Sequence, residues 1–280
     1  MLKNALLNMV GIIATSFKSA IGDWKSWLKT IWLPLTLLII VAAGGVLLEE
    51  MYIFSEEILK TAQFILGLML GSMLLINLYM KAILNLEPSS LFYLPLNKSL
   101  FKFLAYVALM LLIMGLVFSP VLGMFIYGQM FFTEPAPTYL VAMGSVTIVL
   151  LIVMLYVSLR LFFVLPNVAI QDPTPLRSSW RLTKGHVIFM FFTFMMMMII
   201  LLGAAVLLMI PFGLLVALTS PLFLMDESIG FMAASPILVL YVVAVYFIAY
   251  CSIAKLTGEL YNHFRLEQNK DLQQQAQMEV

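Results

Sequence analysis

The chain has 280 residues, of which 63% are hydrophobic and only 10% are charged, and its formal net charge is +1. A soluble domain carries about 25% charged residues, so these few charges do not cover a water-exposed surface. The composition excludes an ordinary soluble enzyme and predicts that lipid surrounds most of the chain. The single Cys251 excludes an internal disulfide, and no nucleic-acid partner is expected.

The first 28 residues predict an uncleaved amphipathic helix that lies in the membrane interface. Apolar positions recur at helical spacing, and Lys, Asn, Ser and Thr lie on the opposite face. A cleaved secretory signal is the alternative, although Asn8 and Gly11 interrupt the apolar core that a signal peptide needs. The predicted apolar face consists of Leu2, Leu6, Met9, Ile13, Phe17, Ala20 and Trp24.

Charge-free intervals place the membrane spans, because a charge at the bilayer centre costs at least about 2.5 kcal/mol. Six such intervals can hold the roughly 20 residues that one crossing needs. Residues 1–268 are therefore expected to form a single membrane domain, and the polar residues 269–280 a disordered tail. The predicted spans are residues 30–48, 59–80, 103–131, 138–160, 187–212 and 234–255.

The charge-free interval 187–225 allows more than one interpretation. It can hold one long span broken near Pro211, one span followed by a re-entrant segment at 211–225, or two spans with a minimal turn. With a single crossing, 14 of the 15 Lys and Arg residues fall on one side of the membrane, and only Lys60 falls on the other. The positive-inside rule therefore favours six spans with both termini in the cytoplasm.

The fold class predicted is an all-α polytopic bundle of three helical hairpins with interfacial amphipathic helices. Basic-serine dipeptides precede the odd-numbered spans at intervals of 80 and 79 residues. A pseudo-threefold repeat is one interpretation of this spacing. The other is that any bundle of hairpins with cytoplasmic termini has basic ends on that side. The dipeptides are Lys18-Ser19, Lys98-Ser99 and Arg177-Ser178.

The segment between the fourth and fifth spans, residues 160–186, is the most basic and least apolar stretch between long hydrophobic runs. We call it the connecting segment. Three prolines prevent a continuous helix through it. A second short helix is predicted to begin near Pro175 and to end at Gly185. The connecting segment is therefore expected to lie flat at the cytoplasmic interface.

Basic residues of the predicted short helix form the candidate site. Trp180 and Lys184 are four residues apart and share a helix face, with Arg177 and Arg181 on adjacent turns. Trp favours the headgroup layer, and Arg and Lys bind phosphates. The pattern predicts contact with anionic lipid headgroups on the cytoplasmic side. The alternative is that these charges only set topology and staple the structure.

Arg160 closes the fourth span after 25 apolar or neutral residues. Its charged group is expected either to snorkel to the interface or to bind a partner there. The partners considered are helix C-terminal carbonyls, Asp172 and a lipid phosphate, so Arg160 joins the predicted headgroup site.

The connecting segment also carries a family resemblance. Arg160 at the end of a span, Pro166 six residues later, a short polar link and the sequence SSWRLTKG at 178–185 before an apolar run form a recurring pattern. It resembles the six-helix bacterial membrane proteins related to the membrane domain of glycerophosphodiester phosphodiesterases. The resemblance implies a membrane fold and a bacterial cytoplasmic membrane. Those enzymes hold their catalytic barrel in a separate soluble domain, which these 280 residues do not contain, so it does not imply an activity.

The second span contains a small-xxx-small pattern, Gly67 and Gly71, which allows close helix approach. Packing within the chain is favoured over dimerisation. Polar residues in the spans are expected to form interhelical hydrogen bonds, with an ion pathway as the alternative. They are Gln63, Asn77, Gln129, Thr147 and Ser158.

The sequence shows no phosphate loop, nucleophile elbow or metal-binding helix. No catalytic residue, metal ligand or cofactor is predicted. We expect a non-enzymatic integral membrane protein that interacts with lipids or supports envelope homeostasis or membrane-protein assembly, with a protein partner or a second copy as further partners. The alternative is a transporter or channel for a lipid-like or small anionic substrate, with a basic cytoplasmic face where substrate is admitted. A cavity at mid-membrane depth lined by Arg160, Asn77 or Gln129 would favour transport.

Overall fold

The computed structural model describes residues 2–50, 56–86, 98–131, 137–219 and 227–278, and these residues form helices joined by turns. No strand occurs among them. The helices are α1 (Leu2–Gly22), α2 (Trp24–Glu50), α3 (Glu56–Leu84), α4 (Lys98–Phe131), α5 (Pro137–Leu161), α6 (Val164–Ala169), α7 (Pro175–Leu182), α8 (Val187–Ala217) and α9 (Glu227–Met278).

Six helices, α2, α3, α4, α5, α8 and α9, are long and apolar enough to cross a membrane. This confirms the predicted all-α polytopic bundle. The pairs α2–α3, α4–α5 and α8–α9 pack together as three hairpins. α8 continues through Pro211 to Ala217 as one helix, so residues 211–217 belong to it. Residues 220–226 lie outside the described residues, and the exact span limits and the threefold repeat stay predictions.

Two predicted boundaries differ from the helices. α1 ends at Gly22, and residues 24–28, predicted to belong to the interfacial helix, form the start of α2. α9 continues to Met278, so residues 269–278 are helical rather than disordered. The predicted disordered tail rested only on the polarity of these residues. Gln, Leu, Ala, Lys and Met are good helix formers, and no Gly or Pro follows Gly258 to end the helix.

The buried core lies at one end of the bundle. This end, the basic end, is formed by the N-terminal halves of α2, α4 and α8 and the C-terminal halves of α3, α5 and α9. Three apolar clusters fill it, around Phe264, Leu78 and Phe103. The opposite halves of α5 and α8 expose most of their large apolar side chains. Such surfaces are stable only in lipid, so the core closes the bundle at the basic end and lipid surrounds the rest.

α1 packs mainly against α9 and also against α8. Three residues of its predicted apolar face, Met9, Ile13 and Ala20, are buried in this contact. These three residues therefore pack against protein rather than lipid, whereas Trp24 of the same predicted face is 48% exposed. Leu7 and Val10 remain exposed on α1.

Two of the predicted interhelical hydrogen bonds connect α3 to α2. Asn77 Nδ2 donates to the carbonyl of Thr30 at 3.3 Å. Gln63 Nε2 donates to the carbonyl of Val41 at 3.4 Å. Both amide side chains are long enough to reach the neighbouring backbone, and they align the two helices of the first hairpin.

The short hydroxyl side chains of α5 behave differently. Thr147 donates to the carbonyl four residues earlier in its own helix at 2.8 Å, so the interhelical prediction is wrong for it. A Thr or Ser hydroxyl readily bonds to this carbonyl. Ser158 makes the same bond and also approaches Met114 Sδ of α4 at 3.7 Å. The side chain of Gln129 lies outside the described residues.

The closest helix approach involves a glycine other than those predicted. A Cβ added at Gly67 or Gly71 would meet no heavy atom within 4 Å, so packing within the chain is not their role, and dimerisation stays a prediction. At Gly258 an added Cβ would lie 2.7 Å from the carbonyl carbon of Ala82 on α3, and closer to its oxygen. Ala254 and Gly258 form the same small-xxx-small pattern, which was the signal available in the sequence.

Replacing Gly258 by Ala is expected to destabilise the protein by about 1–3 kcal/mol, because the new methyl group must displace the backbone of α3. Gly71→Ala is the matched control. It should be neutral or stabilising by up to about 1 kcal/mol, since Ala favours the helix and the space is open. Thermal unfolding in detergent, followed by circular dichroism, compares the two variants. Equal midpoints would contradict the close approach at Gly258.

Candidate lipid headgroup interface

Two short helices connect α5 to α8. α6 packs against α3, α4 and α7, and most of its residues are buried. α7 begins at Pro175, a favourable first helical position because the N–H that proline lacks would have no partner there. The turn after α7 contains Gly185 with a φ of +85°, a left-handed conformation that suits glycine. The short helix predicted to begin near Pro175 is therefore present. It ends at Leu182 rather than at Gly185, so Lys184 lies in the following turn and not on the helix face predicted for it.

α7 has one buried face and one exposed face. Pro175, Ser179 and Leu182 are buried. The exposed face and the turn that follows carry four residues of the predicted site, which we call the basic face of α7. Its three cations have no hydrogen-bond or ion-pair partner among the described residues. The basic face of α7 consists of Arg177, Trp180, Arg181 and Lys184.

Arg160 connects the end of α5 to α7. Its Nε and Nη2 each donate to Tyr156 Oη at 3.0 Å, and Nη1 donates to the carbonyl of Trp180 at 3.2 Å. The guanidinium carbon lies 5.0 Å from the Trp180 ring centroid and 5.3 Å from that of Tyr156, within cation–π distance of both. Of the protein partners considered for Arg160, a helix carbonyl is correct. Asp172 is wrong, because its Oδ1 accepts the backbone N–H of Thr174 at 2.7 Å.

The backbone of Arg160 is also bonded to α7. Ser179 Oγ donates to the carbonyl of Arg160 at 2.8 Å, and Thr183 Oγ1 donates to the same carbonyl at 3.4 Å. Carbonyls in the last turn of a helix lack helical partners, so these hydroxyls satisfy the end of α5. α5 and α7 thus bond in both directions, and α5 fixes the orientation of the basic face of α7.

Sequence reasoning missed the three side chains that support Arg160. Tyr156 precedes it by four residues, one helical turn away on the same face, which was a usable signal. Ser179 and Thr183 are also four residues apart, but their target lies on another helix. No local pattern predicts that contact, because it depends on how the connecting segment folds back on α5.

One cation of the basic end faces inward. Lys81 of α3 is buried, and its Nζ donates to Ser26 Oγ of α2. Nζ also lies 5.3 Å from the ring centroid of Trp27. In the sequence, Lys81 directly follows the second predicted span, residues 59–80. In the structure it bonds α3 to α2 within the first hairpin, whereas the cations of α7 are exposed.

The two histidines of the chain meet at a single carboxylate. His186 Nε2 lies 3.6 Å from Glu267 Oε2, and His263 Nε2 lies 3.5 Å from Oε1. His186 also stacks on the ring of Phe264. The two histidines are 77 residues apart in the sequence. Through Glu267, this cluster connects the start of α8 to α9. Among the described residues no group of three or more ligating side chains has metal-binding geometry.

A groove of about 770 Å³ lies between α2 and α9, with α3 as its floor. Gly71 contributes to the floor, where its missing side chain deepens the groove. The remaining lining is aliphatic except for Tyr246 and Tyr250. Neither Arg160 nor Asn77 lines it. An apolar groove at the depth of the spans suits hydrocarbon rather than a polar solute.

Six apolar helices closed at a basic end with an exposed interfacial helix define a polytopic integral membrane protein. A family model described as the membrane domain of glycerophosphoryl diester phosphodiesterase matches residues 92–279, about two thirds of the chain. The chain belongs to this family, which confirms the resemblance of the connecting segment. The match includes the whole of α4 to α8, and with them the basic face of α7. No curated protein and no solved structure matches the chain.

Arg160→Lys is expected to loosen α7, because an ammonium does not reproduce the hydrogen bonds of the planar guanidinium. Each lost bond contributes about 1 kcal/mol. Hydrogen exchange should show faster exchange of the α7 amides, with little change in α3. Tyr156→Phe keeps the ring and removes the acceptor, so its effect should be intermediate. Unchanged α7 exchange in both variants would contradict the positioning role.

Proposed function

We propose that this chain is a non-enzymatic protein of the cytoplasmic membrane that binds anionic lipid headgroups through the basic face of α7. Its role would be to organise lipids or membrane proteins and so to support the cell envelope. The observation that carries the proposal is the set of exposed cations beside Trp180 on a helix that Arg160 holds in place. The proposed role needs no catalytic step.

The exposed charges of α7 support the proposed binding of anionic lipid. Arg177, Arg181 and Lys184 are exposed and have no carboxylate partner among the described residues, so lipid phosphates meet no internal competitor. A cation near an anionic membrane surface contributes about 1 kcal/mol to attraction. Trp180 is 47% exposed, and an indole prefers the headgroup layer. The same helix therefore carries both a depth anchor and anion-binding groups.

The fixed position of α7 also supports the proposed lipid binding. A flexible basic segment loses conformational freedom when it binds a headgroup, and this loss weakens binding. The hydrogen bonds between Arg160 and α7 fix that segment before any lipid arrives. In this proposal Arg160 is a positioning residue, and the three exposed cations contact the phosphates.

The groove between α2 and α9 favours a lipid-binding role over the transport alternative. Its lining is apolar, and the mid-span amide of Asn77 is engaged with the backbone of α2. A path for a polar solute requires polar groups along it. An acyl chain requires only an apolar surface.

Neutralising the basic face, with Arg177→Gln, Arg181→Gln and Lys184→Gln together, should weaken the preference for anionic over zwitterionic lipid by up to about 3 kcal/mol, or roughly a hundredfold. Native mass spectrometry of the purified protein with phosphatidylglycerol and phosphatidylcholine measures the preference. The charge-conserving control, Arg177→Lys, Arg181→Lys and Lys184→Arg, should retain most of it. An unchanged preference in the neutral variant would refute the proposal.

Orientation in the membrane is part of the proposal, since anionic headgroups and the positive-inside rule both place the basic end in the cytoplasm. Cys251 is fully buried, so background labelling of the parent protein should be low. We expect a cysteine at Ser178 to react with an impermeant maleimide only in inverted vesicles. A cysteine at Glu57, which is exposed and lies at the start of α3, away from the basic end, should react only in right-side-out vesicles. The opposite pattern would reverse the orientation.

A further inference from the structure

We infer that a polar cavity between α4 and α6 is a discrete binding site for a phosphate-bearing anion, separate from the basic face of α7. The cavity has a volume of about 470 Å³. It is bounded by the first turns of α4 and by the end of α6 with the turn that follows. We call it the α4–α6 cavity. Its lining consists of Lys98, Ser99, Lys102, Val168 and Gln171.

Two cations dominate the α4–α6 cavity. Lys98 and Lys102 are four residues apart on α4, so their ammonium groups lie on one side of the helix and repel each other. Both are exposed, and neither has a hydrogen-bond or ion-pair partner among the described residues. Asp172 follows the lining residue Gln171, but its carboxylate is bonded to Thr174 and does not line the cavity. An anion between the two ammonium groups would relieve their repulsion.

Gln171 supplies a neutral donor at the edge of the cavity. Its φ is 63°, in the left-handed region that a residue other than glycine adopts at a cost. Its N–H donates to the carbonyl of Val168 at 3.0 Å, which holds this conformation. Glycine would adopt the same turn without strain, so what Gln171 adds at this position is its amide. An amide N–H beside two ammonium groups suits an acceptor with several oxygens.

The walls of the α4–α6 cavity are fixed by the core beneath it. Val168 is fully buried and belongs to the same apolar cluster as Leu100 and Phe103 of α4. Along α4 the two lysines lie on either side of Leu100, and Phe103 directly follows Lys102. The spacing between the lysines and Gln171 is thus set by close-packed side chains, whereas surface lysines generally lack such a framework.

The chemistry points to phosphate. Lysine binds phosphate oxygens as a point charge, and the cavity offers two such charges and the amide of Gln171. It lies at the basic end, at the level where the proposed function places a leaflet with anionic lipids, and the inference rests on that proposal for its lipid source. A free phosphate ion has the same chemistry, so the experiment distinguishes the two sources.

The test is native mass spectrometry of the full chain in detergent, titrated with phosphatidylglycerol. Lys98→Gln with Lys102→Gln should lower the affinity of the tightest bound lipid at least tenfold. The control removes two exposed lysines from elsewhere on this end, Lys18→Gln with Lys25→Gln, and should change that affinity less than twofold. Equal losses in the two variants, or no loss in the first, would overturn the site.

The variant Gln171→Gly distinguishes an effect on lipid affinity from an effect on stability. It should lower the affinity severalfold and raise the thermal midpoint, because the strained φ is relieved while the amide is lost. A lower midpoint with unchanged affinity would contradict the role of the amide. Inorganic phosphate added at millimolar concentration assigns the source: competition indicates a free-anion site, and binding without competition indicates a lipid headgroup.

The basic face of α7 provides the final comparison. In its neutral triple variant the tightest phosphatidylglycerol should remain bound while weaker lipids are lost. If the triple variant loses its preference for anionic lipid and the Lys98/Lys102 variant binds as the parent does, the proposed function stands and the α4–α6 cavity is refuted. The converse result refutes the basic face and retains the cavity.

Discussion

The hydrogen bonds between Arg160 and α7 determine how the connecting segment is held against the end of α5. An arginine at the end of an apolar span must place its charge near water or on a partner. Here the partners are a tyrosine one turn earlier and a carbonyl of the next short helix, and two hydroxyls of that helix bond to the arginine carbonyl in return. The end of a span is thereby joined rigidly to an interfacial helix. These hydrogen bonds fix the orientation of the basic face of α7. Both proposed sites include residues of the connecting segment, which these bonds anchor.

The cost of placing a charged or polar group near hydrocarbon also explains the other polar contacts of the basic end. Charged and polar groups close to hydrocarbon are costly unless they are satisfied, and two buried groups of the first hairpin have specific partners. Lys81 bonds to a serine and lies near an indole, and Asn77 bonds to a backbone carbonyl. The exposed cations on α7 and at the start of α4 have no such partner within the described part of the chain. In the proposed function, these groups bind the anions of the membrane.

Sequence reasoning recovered the features that periodicity and charge determine. Helix number, the hairpins, the start of α7 and the exposed side of Trp180 follow from local spacing and the cost of burying charge. It failed where a contact joins distant elements. Gly67 and Gly71 had the spacing for close approach, but Gly258 is where two helices cross, and only the packed bundle decides between such patterns. The α4–α6 cavity was missed for the same reason, since Lys98 and Gln171 are far apart in the chain.

The uneven distribution of the core has a consequence for how sequence change is tolerated. In the half of the bundle remote from the basic end, many large aliphatic side chains are more than half exposed, so exchanging one for another removes little packing. There the constraint is solubility in hydrocarbon, which many sequences satisfy. Around Phe264, where residues of α1, α5, α7, α8 and α9 pack together, the same exchange would leave a void or a clash. The chain thus combines two kinds of position. Lipid-facing positions require only an apolar side chain, and core positions require a side chain of a particular shape.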